Sequence, residues 1–151
     1  MPLTKGKIFT FLGKLLLISC VFLLQGSREN STHTLTVKVT RLKHKRGAVE
    51  IGLYNKESTF PKVGKQYKKA RVKISGNSAT YKFEGLKNGA YAIGTYHDEN
   101  GDKSCNTNVF GVPTEAYAFS RNVRPFLSAP KFSSCRFWVT EDRTLYIKMV
   151  Y

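Results

Sequence analysis

Along most of the chain, apolar and polar residues trade places at every second position. HTLTVKVTRL sets Leu35, Val37 and Val39 against Thr34, Thr36, Lys38 and Thr40, the period of a strand with one buried face. A basic turn, Lys43 to Gly47, separates it from a second strand with Val49, Ile51 and Leu53 on one face, and the two read as a hairpin. KARVKIS alternates Ala70, Val72 and Ile74; TYKFEGL alternates Tyr81 and Phe83. AYAIGTYH sets Tyr91, Ile93 and Thr95 against Ala90, Ala92, Gly94 and Tyr96, and GNSA and KNG supply the turns before and after TYKFEGL. SCRFWVTE and RTLYIKMVY complete the series, the last alternating Leu145, Ile147 and Met149 with Tyr146, Lys148 and Val150.

Two stretches break the period. In 56–69, Pro61 and Gly64 mark a long loop that Phe60 anchors by turning inward. The segment 98–131 is longer and irregular, punctuated by Pro113, Pro125 and Pro130 and by Tyr117, Phe119 and Phe126, with Phe132 just beyond it. A loop of that length in a small domain is either functional or held by its own anchors. Phe110, Phe119 and Phe132 are expected to plug one end of the domain; the sharper alternative is a ligand cleft lined by Tyr96, Tyr117 and Phe119. Seven short strands without an amphipathic helix predict an all-β fold, a single seven-stranded antiparallel β-sandwich.

The N-terminal residues follow another logic. Lys5 and Lys7 precede an apolar run from Ile8 to Leu24, and the small polar pair Gly26-Ser27 follows, the order of a secretory signal. Lys14 leaves only Leu15 to Leu24 uncharged, about half of the 20 or so residues a bilayer-spanning helix needs. The expected organisation is a signal peptide over 1–26, a mobile leader over 27–33 and the domain over 34–151, with no stable transmembrane span. The protein is then exported: periplasmic, extracellular or outer-membrane-associated. Leu17-Ile18-Ser19-Cys20 also fits a lipidation signal at Cys20, although Val21 to Leu24 stay apolar where lipoproteins turn polar.

Charge and cysteines refine this picture. The chain has 25 Lys and Arg against 10 Asp and Glu; without 1–26, which holds three lysines, 22 face 10, a net charge of +12. Ten of the basic residues fall in RLKHKRG and KVGKQYKKARVK, with Tyr67 inside the second. They suit an anionic envelope polymer as partner, or they simply keep an exported protein soluble. No nucleic-acid-binding fold signature accompanies them, so a specific nucleic acid is not expected. Cys105 and Cys135 remain after the signal and form a disulfide candidate; closing a loop of about 30 residues is worth roughly 3 to 4 kcal/mol at best.

HDENGDKSCNTN concentrates what chemistry there is. Asp98, Asn100, Asp102 and Asn106 stand at positions 1, 3, 5 and 9 of an oxygen-rich loop, with Ser104 at 7, a spacing that suits Ca2+. Lys103 replaces the turn glycine and Val109 the bidentate glutamate; without an ion, the same side chains would cap their own turn. His97 with Asp98 or Glu99 could exchange a proton, but Ser104, Cys105 and Ser120 lack a nucleophile motif, and His97 and Asp98 are neighbours that a strand points to opposite faces. His33, His44 and His97 are too scattered for a zinc signature.

GLKNGAYAIGTYHDENGD, then NTNVFGVPTEAYAFSRN and APKF, closely resemble the bacterial domain-of-unknown-function family 2141, over about residues 34–151. The resemblance implies an exported or periplasmic β-sandwich similar to transthyretin-like and carboxypeptidase-regulatory-like modules, and no established activity. The family's His-Asp-Glu-Asn stretch falls on His97, Asp98, Glu99 and Asn100, its Gly-x-Pro-x-Glu stretch on Gly111, Pro113 and Glu115, and its Phe-Ser-Asn element on Phe119, Ser120 and, after Arg121, Asn122. Lys103 and Asn106 stand where Gly and Asp are typical of the acidic loop, departures that weaken a calcium site and leave room for a Cys105–Cys135 tether to order it instead.

The expectation is therefore a non-enzymatic binding or accessory module, with an anionic envelope polymer or another exported protein as partner. Its ligand-binding candidates are Tyr96, His97, Glu115, Tyr117 and Phe119, and its candidate Ca2+ ligands Asp98, Asn100, Asp102 and Asn106. A small hydrolase using His97 with Asp98 or Glu99 is the alternative.

Overall fold

The computed structural model describes residues 31–109, 113–126 and 128–151. The expected signal segment 1–26 with Cys20, most of the leader, Phe110 and Gly111 lie outside the described residues. Among the described residues no helix is long and apolar enough to cross a membrane.

Ser31–Tyr151 form one compact unit of eight strands: β1 (Thr32–Thr40), β2 (Ala48–Tyr54), β3 (Lys68–Val72), β4 (Ala79–Lys87), β5 (Gly89–Asp98), β6 (Tyr117–Phe119), β7 (Phe137–Val139) and β8 (Arg143–Lys148). One sheet has the order β4-β1-β8; the other runs β3-β2-β5-β6, with β7 also on β5. β7 faces Gly89 to Tyr91 and β6 faces Gly94 to Tyr96, so the two share one edge of β5 end to end. The all-β class holds, with eight strands instead of seven: the addition is β6, only three residues long, inside the segment that reads as irregular.

Two pairing expectations are corrected. β1 and β2 do not form a hairpin; β1 pairs with β4 and β8, and β2 with β3 and β5. Residues 41–47, with positive φ at Arg41 and Gly47, arch from one sheet to the other, which buries the apolar faces of both strands against each other across the sandwich. The sandwich is also not purely antiparallel, because β8 runs parallel to β1. A parallel pair needs a long crossover, and the whole chain between the two strands provides it.

The alternation seen in the sequence is the core. Leu35, Val37 and Val39 of β1 face Val49, Ile51 and Leu53 of β2 and Tyr91 and Ile93 of β5, all buried. On β4, Phe83 and Leu86 both point inward although three residues apart, because a bulge opposite His33 to Leu35 inserts one residue there. Gly85 takes the positive φ of +68° that this bulge requires. Tyr81 stays 39% exposed on this edge strand, although it shares the face of Phe83 in the sequence pattern.

A second, smaller core covers the outer face of the five-stranded sheet. Tyr54, Phe60, Ala92 and Cys135 are buried there, packed by Phe119, Val123 and Phe132. Phe60 is the expected anchor, edge-on to Tyr54, Phe119 and Phe132. Phe119 and Phe132 thus pack on a sheet face and do not plug the end of the sandwich, while Phe126 is 84% exposed. Cys135, in the one-turn helix α1 (Phe132–Cys135), and Cys105 are both free; the expected disulfide is not formed, since Cys135 is committed to this core.

The Ser120 of the Phe-Ser-Asn element holds the layer together. Its hydroxyl accepts the Ile93 N–H at 2.9 Å and donates to the Cys135 carbonyl at 2.7 Å, fully buried. Asn122 accepts the Lys148 N–H of β8 at 2.7 Å. Ser120→Ala strands two backbone groups away from water and is expected to cost about 2 kcal/mol in urea unfolding; a loss below about 0.5 kcal/mol would contradict this role.

Candidate functional site

The outer face of the five-stranded sheet is built from β2 and β5, where Glu50 lies opposite Tyr96, Gly52 opposite Gly94 and Tyr54 opposite Ala92. The paired glycines carry no side chains of their own, and Gln66 and Tyr54 close over Gly52 while Phe119 and Pro61 pack over Gly94. A Cβ at Gly52 would come within 2.7 Å of Gln66 Cγ, whereas one at Gly94 would meet Phe119 at an ordinary 3.5 Å. Above this floor a cleft of about 710 Å³ opens, walled by Tyr54, Tyr96, Tyr117 and Phe119 and bordered by Lys69 and Lys103. The three aromatic residues expected to line a cleft, Tyr96, Tyr117 and Phe119, therefore do lie together, on a floor that the sequence reading had not identified.

Burial, more than any neighbouring charge, keeps the Tyr54 and Tyr96 phenols protonated. It pushes Tyr54 up to about 12 and raises Tyr96 further, Glu50 adding to the latter. As donors, Tyr54 reaches the Lys62 carbonyl at 3.1 Å and Tyr96 the Lys103 carbonyl at 3.2 Å, which ties the cleft walls to the sheet. Cys105 also lines the cleft, and burial followed by Glu115 raises its thiol. Burial likewise pushes the Cys135 thiol up to about 11. Neither sulfur is an activated nucleophile.

The acidic loop begins at the end of β5. Asp98 is fully buried, and its carboxylate accepts the Gly101 N–H at 2.8 Å, the Lys103 N–H at 3.0 Å and the guanidinium of Arg71. Burial alone would raise this carboxyl; Arg71 and the two backbone donors outweigh it and hold it below its ordinary value. Asn100 Oδ1 accepts the Asp102 N–H at 3.0 Å, and Asp102 Oδ1 the Ser104 N–H at 2.8 Å. Asp102 is held low by the Ser104 N–H, then by Asn100, with Asn106 adding its own hydrogen bond. Asn106 also accepts Thr114 through its carbonyl. These are the Asx-turn bonds of a self-capped loop. Lys103, where a glycine is usual, takes φ +64°. Arg71 brings to Asp98 the positive charge that a bound cation would otherwise supply, and its other partner is Glu50 at 2.5 Å.

His97 and Asp98 diverge as adjacent strand residues must. His97 follows Tyr91, Ile93 and Thr95 on the inner face, fully buried, with Nδ1 2.8 Å from the Tyr151 hydroxyl and Nε2 2.7 Å from the Arg46 carbonyl. Glu115 sits between the groups: Oε1 accepts the Glu99 N–H at 3.1 Å, and Oε2 is buried with no partner among the described residues. Burial raises its carboxyl, and Asp98 and Asp102 add to the effect.

The basic runs have a structural position of their own. Lys68, Lys69 and Arg71 lie on β3, which among the described residues is an edge strand paired with β2, where charge discourages pairing with another sheet edge. Arg71, Glu50, Gly52, Gly94 and His44 are the contributors that sequence reasoning passed over. The small outer-face series Ala92, Gly94 was the available signal for the floor.

A family model described as an uncharacterized protein conserved in bacteria, DUF2141, matches residues 37–146. Comparison with curated proteins and with solved structures returned no match. The matched stretch takes in the floor glycines, the acidic loop and the aromatic walls, and the chain belongs to this bacterial family.

Proposed function

We propose that the protein is an exported, non-enzymatic binding module whose ligand has an apolar or aromatic body and an anionic end, seated in the cleft over Gly52 and Gly94. The observation that carries this reading is the combination of the paired Gly52 and Gly94 with four aromatic walls in one concave space of about 710 Å³, a size and lining typical of small-molecule sites. Lys69 and Lys103 at its border suit a carboxylate or sulfonate; Glu50 shares Arg71 with Asp98, so the two lysines outweigh the one negative charge left over. The acidic loop acts as a wall ordered by its own hydrogen bonds. Export is supported by the basic and then apolar N-terminal stretch. The non-enzymatic reading is supported by the raised thiols and by a His97 ring whose two nitrogens are both engaged.

Anilinonaphthalene sulfonate, aromatic and anionic, serves as the probe. It is expected to bind the folded protein one to one at micromolar concentration with enhanced fluorescence. Gly94→Ala adds one methyl at ordinary contact distance from Phe119 and Pro61 and should weaken binding about threefold, or roughly 0.7 kcal/mol, with little change in unfolding midpoint. Equal binding by the variant would count against the cleft.

A further inference from the structure

A second group of side chains meets on the opposite side of β5, away from the cleft. His97 ends the inner-face series of that strand, Glu99 follows it, and His44 comes from the arch between β1 and β2. The two imidazole rings are 4.9 Å apart between centroids. Glu99 reaches both, with Oε2 3.0 Å from His44 Nε2 and Oε1 3.7 Å from His97 Nδ1. One ligand atom from each residue lies within 4.8 Å of the others.

We propose that His44, His97 and Glu99 bind a borderline divalent transition-metal ion, with Zn2+ the best fit. In a tetrahedral site with bonds of about 2.0 to 2.1 Å, ligand atoms stand roughly 3.3 to 3.4 Å apart; the 3.0 and 3.7 Å spacings run to different Glu99 oxygens, so the carboxylate binds through both or turns to present one. His44, with 38% of its side chain exposed, supplies the movement that remains. The second shell of His97 is already in place. The Arg46 carbonyl can only accept, so in the neutral ring Nε2 carries the proton and Nδ1 presents a lone pair toward Glu99 and Tyr151. A histidine that donates its far N–H to a carbonyl while its near nitrogen faces the ion is the usual arrangement of a metal ligand.

Two groups stand where an ion would enter, and both can leave. Arg46 lies 3.4 Å from Glu99 Oε2, but 73% of its side chain is exposed, so the pair is weak. The Tyr151 hydroxyl occupies the Nδ1 lone pair and also accepts the Lys43 N–H at 2.9 Å; the residue is 44% exposed and swings outward at the cost of that bond, or joins the ligands. Nδ1 of His44 is buried without a hydrogen-bond partner among the described residues, so the ring is held by its Nε2 contact with Glu99 and by His97. Two histidines and one carboxylate leave a coordination position open, a set that suits zinc and its neighbours over Ca2+ or Mg2+.

The test uses the full chain without an affinity tag, stripped of metal and titrated with Co2+ and then Zn2+. The expected result is visible Co2+ absorption saturating at one equivalent and displaced by Zn2+. His44→Gln and Glu99→Gln should each weaken Zn2+ binding by about tenfold or more, and His33→Gln, outside the group, should leave it unchanged. His44→Gln carries the decision, because that side chain is half-exposed and its loss does not open the core. No saturable binding up to about 100 µM, a Kd beyond the range of a dedicated site, would overturn the proposal. So would Zn2+ affinity that survives His44→Gln.

Discussion

Gly47→Ala is expected to be among the most damaging single substitutions in the domain. The residue has φ +75°, and a Cβ built on it would stand 1.9 Å from the Asp98 carbonyl oxygen, 2.8 Å from its carbon and 2.9 Å from Glu99 Cα. All three are backbone atoms, so no side chain can yield to make room. Ala48 pairs with Asp98, and the start of β2 must part from the end of β5, disturbing the Asp98 turn at the same time. The left-handed conformation alone costs roughly 1 to 2 kcal/mol, and the loss of strand pairing brings the expected total to about 4 kcal/mol, a large share of a small domain's stability. Gly76→Ala is the control: φ is +62° there too, but nothing lies within 4 Å of the new methyl, so only the conformational term applies. Thermal unfolding of the two variants checks the argument; equal midpoints would refute it.

Asp98→Ala should come next, at about 3 kcal/mol, near the lower end for breaking a buried ion pair because Arg71 is one-third exposed and keeps Glu50. The substitution removes the acceptor of three donors at once, and the turn through Gly101 and Lys103 loses its fixed point. Asp102→Ala, in the same loop but exposed, should move the unfolding midpoint far less than Asp98→Ala does. The same experiment addresses the cation. With Arg71 already against Asp98, millimolar Ca2+ is expected to leave the unfolding midpoint of the native protein unchanged. A rise of several degrees that Asp98→Ala abolishes would mean that calcium displaces Arg71, and the loop would then be a metal loop.

What could be read in advance follows from what alternation encodes. A period of two says which residues share a face, so Leu35, Val37 and Val39, Val49, Ile51 and Leu53, and Tyr91 and Ile93 are found buried as expected. It does not say which strand lies beside which. The seven residues between β1 and β2 suit a hairpin and an arch equally, and the arch prevails because β4 and β8 occupy both sides of β1. β6 escaped because three residues are too few to show a period. The cleft was half legible: Tyr96, Tyr117 and Phe119 were grouped, but the Gly52–Gly94 floor depends on register, which only pairing reveals. His44 and His97 are far apart in the chain, and no local spacing predicts that the arch sets one beside the other. The even cysteine count suggested a bridge, yet Cys135 packs under Phe60 and Phe132 as an apolar side chain.

The central claim is that the face over Gly52 and Gly94 is a binding site. The most direct measurement is a two-dimensional amide NMR titration of the folded protein with anilinonaphthalene sulfonate. The account predicts saturable shifts concentrated at Gly52, Gly94, Tyr96, Lys103, Tyr117 and Phe119, with β1 and β4 on the far sheet unmoved. Shifts confined to other surfaces, or none at millimolar probe, where even a weak site of about −4 kcal/mol would fill, would contradict it.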